Sequence, residues 1–543
     1  MMVPRKLWHF HGGLRLPGHK APSNLAPIDT APLPRQLVLP LHQHIGRAAE
    51  ALVKIGDQVG KGQRIARAEG YISASIHAST SGTVSAIEPR AVPHPSGLSA
   101  PCIVIDTDGR DQWAPGLPNP IPDFRALSAI ELRTVIREAG IVGLGGAAFP
   151  TAVKLNPPAM DSIATLIING AECEPYITCD DRLMRERADA IVLGVAILQH
   201  IVKPHETLIA IEDNKPEAIA AMGEALARAA MPATEVVVIP TLYPTGSEKQ
   251  LIKVLTGREV PVAGLPVDLG ILCQNVGTAF AVHQAVIEGQ PLIERVVTIT
   301  GQGVAAPRNL RVRLGTPLAE LIAYAGGYTD AVERLILGGP MMGFALASDQ
   351  VPLIKGGNCV WVASAAELAP EHAAQPCIRC GQCVAVCPAQ LLPQQLYWYA
   401  RSEDFDKIQD HNLFDCIECG CCAEVCPSHL PLVHYYRHAK TEIWQLERDK
   451  RKADIARERH QFRLQRLEHE EQEKAARHAQ RKAGLASPAS TDPTASAQTP
   501  AVPDPKQAAI EAALERARAK KAARAEVAPT PPATPDTTPT AAD

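Results

Sequence analysis

Short apolar runs recur through the middle of the chain, at Thr165-Leu166-Ile167-Ile168, Leu208-Ile209-Ala210-Ile211 and Val236-Val237-Val238-Ile239. Runs this short and this rich in branched residues predict strands buried on both faces. Helix-forming stretches lie between them, near 181–201 and 216–230. Ser128-Ala129-Ile130-Glu131 has the capping-box spacing and opens a helix running to about Ala139. Strands alternating with helices predict parallel β-α-β units, hence a doubly wound sheet over residues 120–290. On the N-terminal side the pattern shortens. Lys54-Ile55-Gly56-Asp57-Gln58-Val59-Gly60-Lys61-Gly62-Gln63 sets turn residues between alternating apolar positions, which predicts small strands over 36–90. Short strands return at 295–300 and 311–314, followed by a helix from about Pro317. The 391–414 segment is rich in helix formers and aromatics. Beyond Lys440 the apolar stripe fades. Residues 446–482 are dense in Arg, Lys and Glu, and 484–506 and 527–543 are Pro, Ala, Ser and Thr, with an Ala-rich helix candidate at 506–526 between them. Such a tail cannot bury a core. It reads as a solvated helix followed by disorder, or as an arm that docks a partner.

Composition narrows the class. A chain of 543 residues accommodates about three or four domains. The net charge of −4 gives no basic field to attract nucleic acid. Residues 1–13 carry Arg5 and Lys6 but no apolar core of a signal peptide. No stretch approaches the ~18 apolar residues of a membrane span; the longest, 190–198, reads as a buried helix. Any membrane association is therefore expected to be peripheral, through a partner. The cysteines suit a reducing compartment, the cytoplasm.

Nine of the 14 cysteines fall in two runs, and eight of them keep a regular spacing. Cys377, Cys380, Cys383 and Cys387-Pro388 form the first, and Cys416, Cys419, Cys422 and Cys426-Pro427 the second. Both have the C-x2-C-x2-C-x3-C-P spacing of paired [4Fe-4S] sites, in which the fourth cysteine crosses to the other cluster. Cluster one would take Cys377, Cys380, Cys383 and Cys426. Cluster two would take Cys416, Cys419, Cys422 and Cys387. Cys421 is out of register as a ligand. Zinc would ask for two separated C-x2-C knuckles, and neither run is arranged that way. A disulfide framework conflicts with the lack of a secretory signal. Two such clusters make the chain a carrier of single electrons.

A glycine-rich loop is the second chemical feature: Gly140-Ile141-Val142-Gly143-Leu144-Gly145-Gly146-Ala147-Ala148-Phe149-Pro150-Thr151. It follows a predicted helix, so it is not the ordinary dinucleotide fingerprint. Its glycines still let backbone approach a phosphate. Pro150 suits the first turn of a new helix, with Lys154 one turn in. By itself the loop is equally a tight turn between packed elements. Asn169-Gly170-Ala171-Glu172-Cys173-Glu174-Pro175 follows a predicted strand, where ligands sit in open α/β sheets. Its carboxylates and amide suit ribityl or ribose hydroxyls, although a single carboxylate there is more commonly a helix cap or part of a solvated loop. Tyr243-Pro244-Thr245-Gly246-Ser247-Glu248-Lys249-Gln250 and Asn275-Val276-Gly277-Thr278 come later on the same sheet.

These motifs together resemble known families. The 36–90 region resembles the barrel-sandwich fold of lipoyl and biotinyl carriers, but its hairpin, Gly70-Tyr71-Ile72-Ser73-Ala74-Ser75, has no lysine to carry a prosthetic group. A structural barrel is the expectation. The 295–345 region resembles the soluble-ligand-binding β-grasp. Gly-x-Gly-Gly-Ala-x-Phe-Pro-Thr, Asn-x-x-Glu-x-Glu-Pro and Gly-x-Glu resemble the flavin- and NADH-binding subunit of respiratory complex I. With the N-terminal barrel, the β-grasp, the double cysteine run and the Phe10-His11-Gly12-Gly13 opening, residues 1–440 look like the C subunit of the Rnf (Rsx) electron-transport complex. That resemblance implies a multidomain α/β chain. Its parts are a barrel-sandwich hybrid at 1–119, a flavin/nucleotide domain at 120–290, a β-grasp at 291–365, a mostly helical double [4Fe-4S] ferredoxin domain at 366–440 and a charged tail at 441–543. It implies FMN, with NAD(H) as substrate, held by Gly143, Gly145, Gly146, Lys154, Asn169, Glu172, Glu174, Glu248 and Asn275. Leu144 replaces an arginine of the complex I loop, Ala148 and Ala152 replace glycines, and Ser247 stands for the first glutamate of a pair. The implied role is a peripheral subunit on the cytoplasmic side of the bacterial inner membrane, part of an ion-translocating oxidoreductase. Its partners would be the other subunits and a ferredoxin or similar one-electron carrier. The alternatives are a cluster-only connector with a degenerate flavin pocket, and a soluble module that keeps an iron-sulfur sensor reduced.

Overall fold

A computed structural model describes residues 5–157, 163–262, 264–370, 372–485, 510 and 512–516. Most of the 484–506, 506–526 and 527–543 stretches lie outside those residues. The chain divides into two units, Met1–Lys450 and Arg451–Asp543.

Two small antiparallel sheets form the N-terminal domain. Gln36–Pro40, Ser99–Thr107, Gly82–Ala91 and Gln58–Val59 make one; Glu50–Ala51, Arg64–Arg67 and Ile76–His77 make the other. They bury Leu37, Leu39, Ile65, Ile76, Ile103 and Ile105 in a core continuous with that of the next domain. The Gly70-to-Ser75 hairpin is part of that junction. Lys355 Nζ donates to the Ser75 and Gly140 carbonyls, at 2.7 Å each, and so ties three domains at one buried point. Burial lowers this ammonium to about 7.

The next domain is the parallel sheet expected. Its strands lie in the order Thr234–Ile239, Glu206–Glu212, Thr165–Gly170, Ile271–Asn275. Alternate side chains feed two cores. Leu166, Ile168, Ile209 and Ile211 meet the helices Ala129–Glu138, Cys179–Val202, Pro216–Ala229 and Val276–Ile287. Ile167, Leu208, Ala210 and Ile239 meet the helix Glu248–Thr256 together with Leu7 and Phe10. Ser128 and Glu131 form the anticipated capping box. Two features differ from the sequence-based expectation. Ile271–Asn275 is a strand that the apolar pattern did not announce, being five residues that end in Gln-Asn. The helix expected after Pro150 is a single turn, Thr151–Lys154. Pro157 removes an amide donor and biases Asn156 away from the helical region, so the turn cannot continue.

The third domain is a sheet in the order Asp29–Thr30, Arg308–Arg313, Glu294–Thr300, Cys359–Ser364, Val332–Leu337, Phe344–Ala345. The helix Leu318–Tyr324 packs on it through Leu318, Leu321 and Ile322. The cysteine-bearing domain is helical. Pro393–Arg401, Phe405–Asp410 and the first turns of Leu432–Leu485 enclose Leu396, Ile408, Leu413, Tyr436 and Ile443. The expected boundary at residue 440 falls inside that last helix. Lys440 Nζ donates to the Cys416 carbonyl at 2.7 Å and pairs with Glu418 at 2.8 Å, and Ile443 is only 2% exposed. In the second unit the described helix presents charged side chains to solvent, with pairs such as Arg477–Glu473.

A cut after Lys450 is therefore expected to leave iron content and melting temperature unchanged. Ile443→Ala should cost about 2–5 kcal/mol, and a cut after Lys440 should release iron. Thermal unfolding and iron assay of the three variants check this; an unchanged melt after the Lys440 cut would contradict it.

Candidate functional site

The strand order places the site. The first strand of the parallel sheet, Thr165–Gly170, lies between the second, Glu206–Glu212, and the last, Ile271–Asn275. The direction of winding reverses there, and the loops leaving the two carboxyl ends diverge into a crevice. Asn169, the 171–178 loop, Asn275 and the glycine-rich loop meet at its mouth. The glycine loop is closed by Gly143 N donating to Phe149 O at 2.8 Å, and Leu144 N donates to the Thr278 hydroxyl at 2.9 Å. A Cβ on Gly145 would stand 3.4 Å from Asn275 Cβ, so the loop lies directly on that asparagine. Gly146 is at φ +111° with no atom within 4 Å of where its Cβ would be. This is open space beside bare backbone, the surface a phosphate needs.

Asn275 links two helices. Its Oδ1 accepts from Gly277 N at 2.8 Å, capping Val276–Ile287, and its Nδ2 donates to Asp180 at 2.7 Å. Asn169 Nδ2 donates to Gly246 O at 2.8 Å, which joins the switch-point strand to the loop carrying Glu248. Glu248 pairs with Lys154 at 2.6 Å. Burial opposes the Lys154 charge, but the Glu248 carboxylate outweighs it and holds the ammonium above its ordinary range. The two remaining carboxylates already have partners within the chain. Glu172 accepts from the amides of Asp180 and Asp181, at 2.7 and 3.1 Å, and so caps the helix Cys179–Val202. Glu174 Oε1 accepts from Met341 N and Met342 N, at 2.8 and 3.0 Å, on a loop of the third domain. Each carboxylate keeps lone pairs for a ligand, but neither hangs free at the crevice.

Several residues were missed by sequence reasoning. Asp180 is raised from the usual carboxylate range, by burial first and then by Glu172. Glu212 and Lys215 form a fully buried pair at 3.0 Å just past the second strand. The available signal was an acid closing an apolar strand with a lysine three residues on. Lys20 Nζ donates to the carbonyls of Glu172, Glu174 and Ile177 at 2.8, 3.1 and 2.7 Å. Local pattern cannot reveal a contact 150 residues away.

The cysteine runs fold as two copies of one loop. Arg379 and Glu418 both take φ +56°, and Gly381 and Gly420 take +78° and +83°, ahead of the one-turn helices Gln382–Ala385 and Cys421–Glu424. Cys377, Cys380, Cys383 and Cys426 line one cavity. Cys387, Cys416, Cys419 and Cys422 line a second. Each cavity gathers the four cysteines that the spacing groups together. Amides of Arg379, Leu391 and Glu418 point at Cys377, Cys387 and Cys416 Sγ, each at 3.4 Å; such donors suit thiolates that carry negative charge. Cys421 lines neither cavity. It is buried against Tyr243 and Cys419, with Leu14, Cys173 and Met341 around it. The second quartet faces the parallel-sheet domain. Tyr243 Oη donates to Cys419 O at 2.6 Å, Lys249 pairs with Asp415 at 2.9 Å, and Gln250 donates to Pro388 O at 3.3 Å. The first quartet faces outward, with Cys380 and Ile378 exposed.

Comparison with known proteins places each of these parts. Family models match in chain order: RnfC barrel sandwich hybrid domain at 8–110, Nuo51 FMN-binding domain at 136–284, SLBB domain at 296–345 and 4Fe-4S dicluster domain at 376–430. The C subunit of the ion-translocating oxidoreductase complex of Serratia proteamaculans is 47% identical over 517 residues, covering 95% of this chain and 70% of the relative. The protein of that name from Pseudomonas aeruginosa is 52% identical over 467 residues, 86% of this chain and 60% of its own length. Among solved structures, an NAD+-reducing [NiFe]-hydrogenase in the H2-reduced state aligns with a TM-score of 0.42 and 18% identity over 58% of this chain and 63% of that one.

Cys387→Ser removes one cysteine from the second cavity while leaving the first intact. Iron in anaerobic preparations is expected to fall by about half from about eight per chain, and Cys421→Ser should leave it unchanged. Iron and sulfide assays decide this. Loss of both clusters from Cys387→Ser alone would contradict independent quartets.

Proposed function

Because the chain belongs to the family of C subunits of ion-translocating oxidoreductase complexes, we propose that it is the peripheral electron-transfer subunit of such a complex, working between NAD(H), FMN and two [4Fe-4S] clusters. FMN, when bound, supplies the exchange between hydride pairs and single electrons. Gly143, Gly145 and Gly146 offer bare backbone to its phosphate, and Lys154, paired with Glu248, supplies a cation. Asn169, Asn275, Glu172, Glu174 and Glu248 line the strand ends where its ribityl chain and the nicotinamide partner belong. Cys377, Cys380, Cys383 and Cys426 hold one cluster, and Cys387, Cys416, Cys419 and Cys422 the other.

One observation carries the reading: the crevice and the inner quartet share a boundary. Glu174 reaches from the crevice loop to Met341, Gly420 packs on the Met341 carbonyl, and Tyr243 bonds to Cys419. The inner quartet is thus the natural first station, and the outer quartet, with Cys380 exposed, faces a ferredoxin or similar one-electron carrier. Among the described residues no helix is long and apolar enough to cross a membrane. We place the ion path in other subunits of the complex and this one at the cytoplasmic face of the bacterial inner membrane. A cluster-only connector is the second reading. The internal partners of Glu172 and Glu174, and Leu144 in the loop, favour it.

Gly145→Val separates the two. Alanine fits at 3.4 Å from Asn275, but valine's extra methyl groups crowd the approach to the loop. The variant should lose its flavin and keep its iron, read by absorbance and cofactor analysis of anaerobically purified protein. Full flavin in the variant would relocate the site, and none in the wild type would establish the connector.

A further inference from the structure

The 5–20 segment belongs neither to the parallel sheet nor to the cysteine loops, yet it is bonded to both. Arg5 pairs with Glu206 and Glu235 at 2.5 Å each, and Trp8 N donates to Val254 O at 2.9 Å, which anchors the segment on the sheet domain. It then crosses to the cysteine loops. Gly13 N donates to Val386 O at 3.0 Å. Val386 lies between Cys383 of the outer quartet and Cys387 of the inner one. Leu14 next exchanges both backbone hydrogen bonds with Tyr243, at 2.8 and 2.9 Å, and Tyr243 in turn holds Cys419. Finally Lys20 gathers three carbonyls of the loop that bears Glu172 and Glu174.

The crossing has no room for side chains. Gly12 and Gly13 sit at φ +70° and +81°. A Cβ on Gly12 would stand 2.4 Å from the Val386 carbonyl carbon and oxygen, and one on Gly13 2.8 Å from Tyr243 O. These neighbours are backbone, so they cannot rotate aside. Any side chain at Gly12 must drive this segment and the Val386 backbone apart.

We propose that this segment is a positioning strap that sets the spacing between the crevice and the cysteine loops, with Gly12 as its contact point. It rests on the functional reading above, since the spacing matters only if electrons cross it. The atoms nearest a Cβ at Gly12 are Val386 backbone and not those of a cysteine side chain or a crevice residue, so Gly12 belongs to neither binding set.

The test uses the full chain, anaerobically loaded, as wild type, Gly12→Ala and Gly12→Val. Flavin and iron contents should match in all three, and NADH should bleach the flavin band at the wild-type rate. Reduction of the clusters should be several-fold slower in Gly12→Val, since electron transfer weakens steeply with the distance it crosses, and less affected in Gly12→Ala. Hydrogen exchange at the Leu14 and Tyr243 amides should rise in the same order, a readout independent of turnover. Unchanged exchange and cluster reduction in a loaded Gly12→Val protein would overturn the proposal. So would loss of flavin or iron in Gly12→Ala, which would make the segment part of the fold and not a spacer. Failure of the wild type to bind flavin or reduce its clusters would instead sink the functional reading itself.

Discussion

The Tyr243 hydroxyl bound to the Cys419 carbonyl is the contact on which the working arrangement depends. Burial drives this phenol far above its ordinary range, so it stays protonated and must donate. A phenol enclosed without a partner would be costly, which makes the contact hard to lose without opening the seam. Lys249–Asp415 and the Gln250 amide flank it on the helix Glu248–Thr256, the helix that also begins with Glu248 of the crevice. One short helix thus faces the crevice with its first residue and the inner cysteine quartet with its second and third.

Charge around the crevice is balanced locally. Lys154 answers Glu248, Lys215 answers Glu212, and Lys20 is satisfied by three carbonyls. Such pairs are weak sources of stability, but breaking the fully buried Glu212–Lys215 pair leaves an uncompensated charge. Glu172 stabilises the start of Cys179–Val202 by accepting its first amides, at the end where a carboxylate is favoured. Its neighbour Asp180 is pushed toward the neutral form by burial and by that same carboxylate, which reduces the negative charge close to the glycine loop.

Much of this was legible in the sequence, and for physical reasons. The strands at 165–170, 206–212 and 234–239 are apolar because both sheet faces are covered. The Ser128–Glu131 cap is local chemistry. The cysteine spacing is set by loop geometry, so the two quartets separate in space as the register predicts. What was not legible is what tertiary packing decides. Ile271–Asn275 is too short to show a period. Thr151–Lys154 stops at one turn because Pro157 follows. Glu172 and Glu174 read as ligand carboxylates or as helix caps in a linear motif, and only the folded chain shows which amides they accept, those of Asp180 and Asp181 for Glu172 and those of Met341 and Met342 for Glu174. Lys20 and Gly12 draw their meaning from residues 152 to 374 positions away, which no local window contains.

The central claim is that the inner quartet, not the outer one, adjoins the crevice electrically as well as in space. Rapid-freeze EPR of the anaerobically loaded chain after mixing with NADH tests it directly, with Cys377→Ser used to remove the outer cluster alone. The account predicts that the inner cluster's reduced signal appears in the variant as fast as in the wild type. An inner cluster that remains loaded but is no longer reduced once the outer one is gone would contradict it.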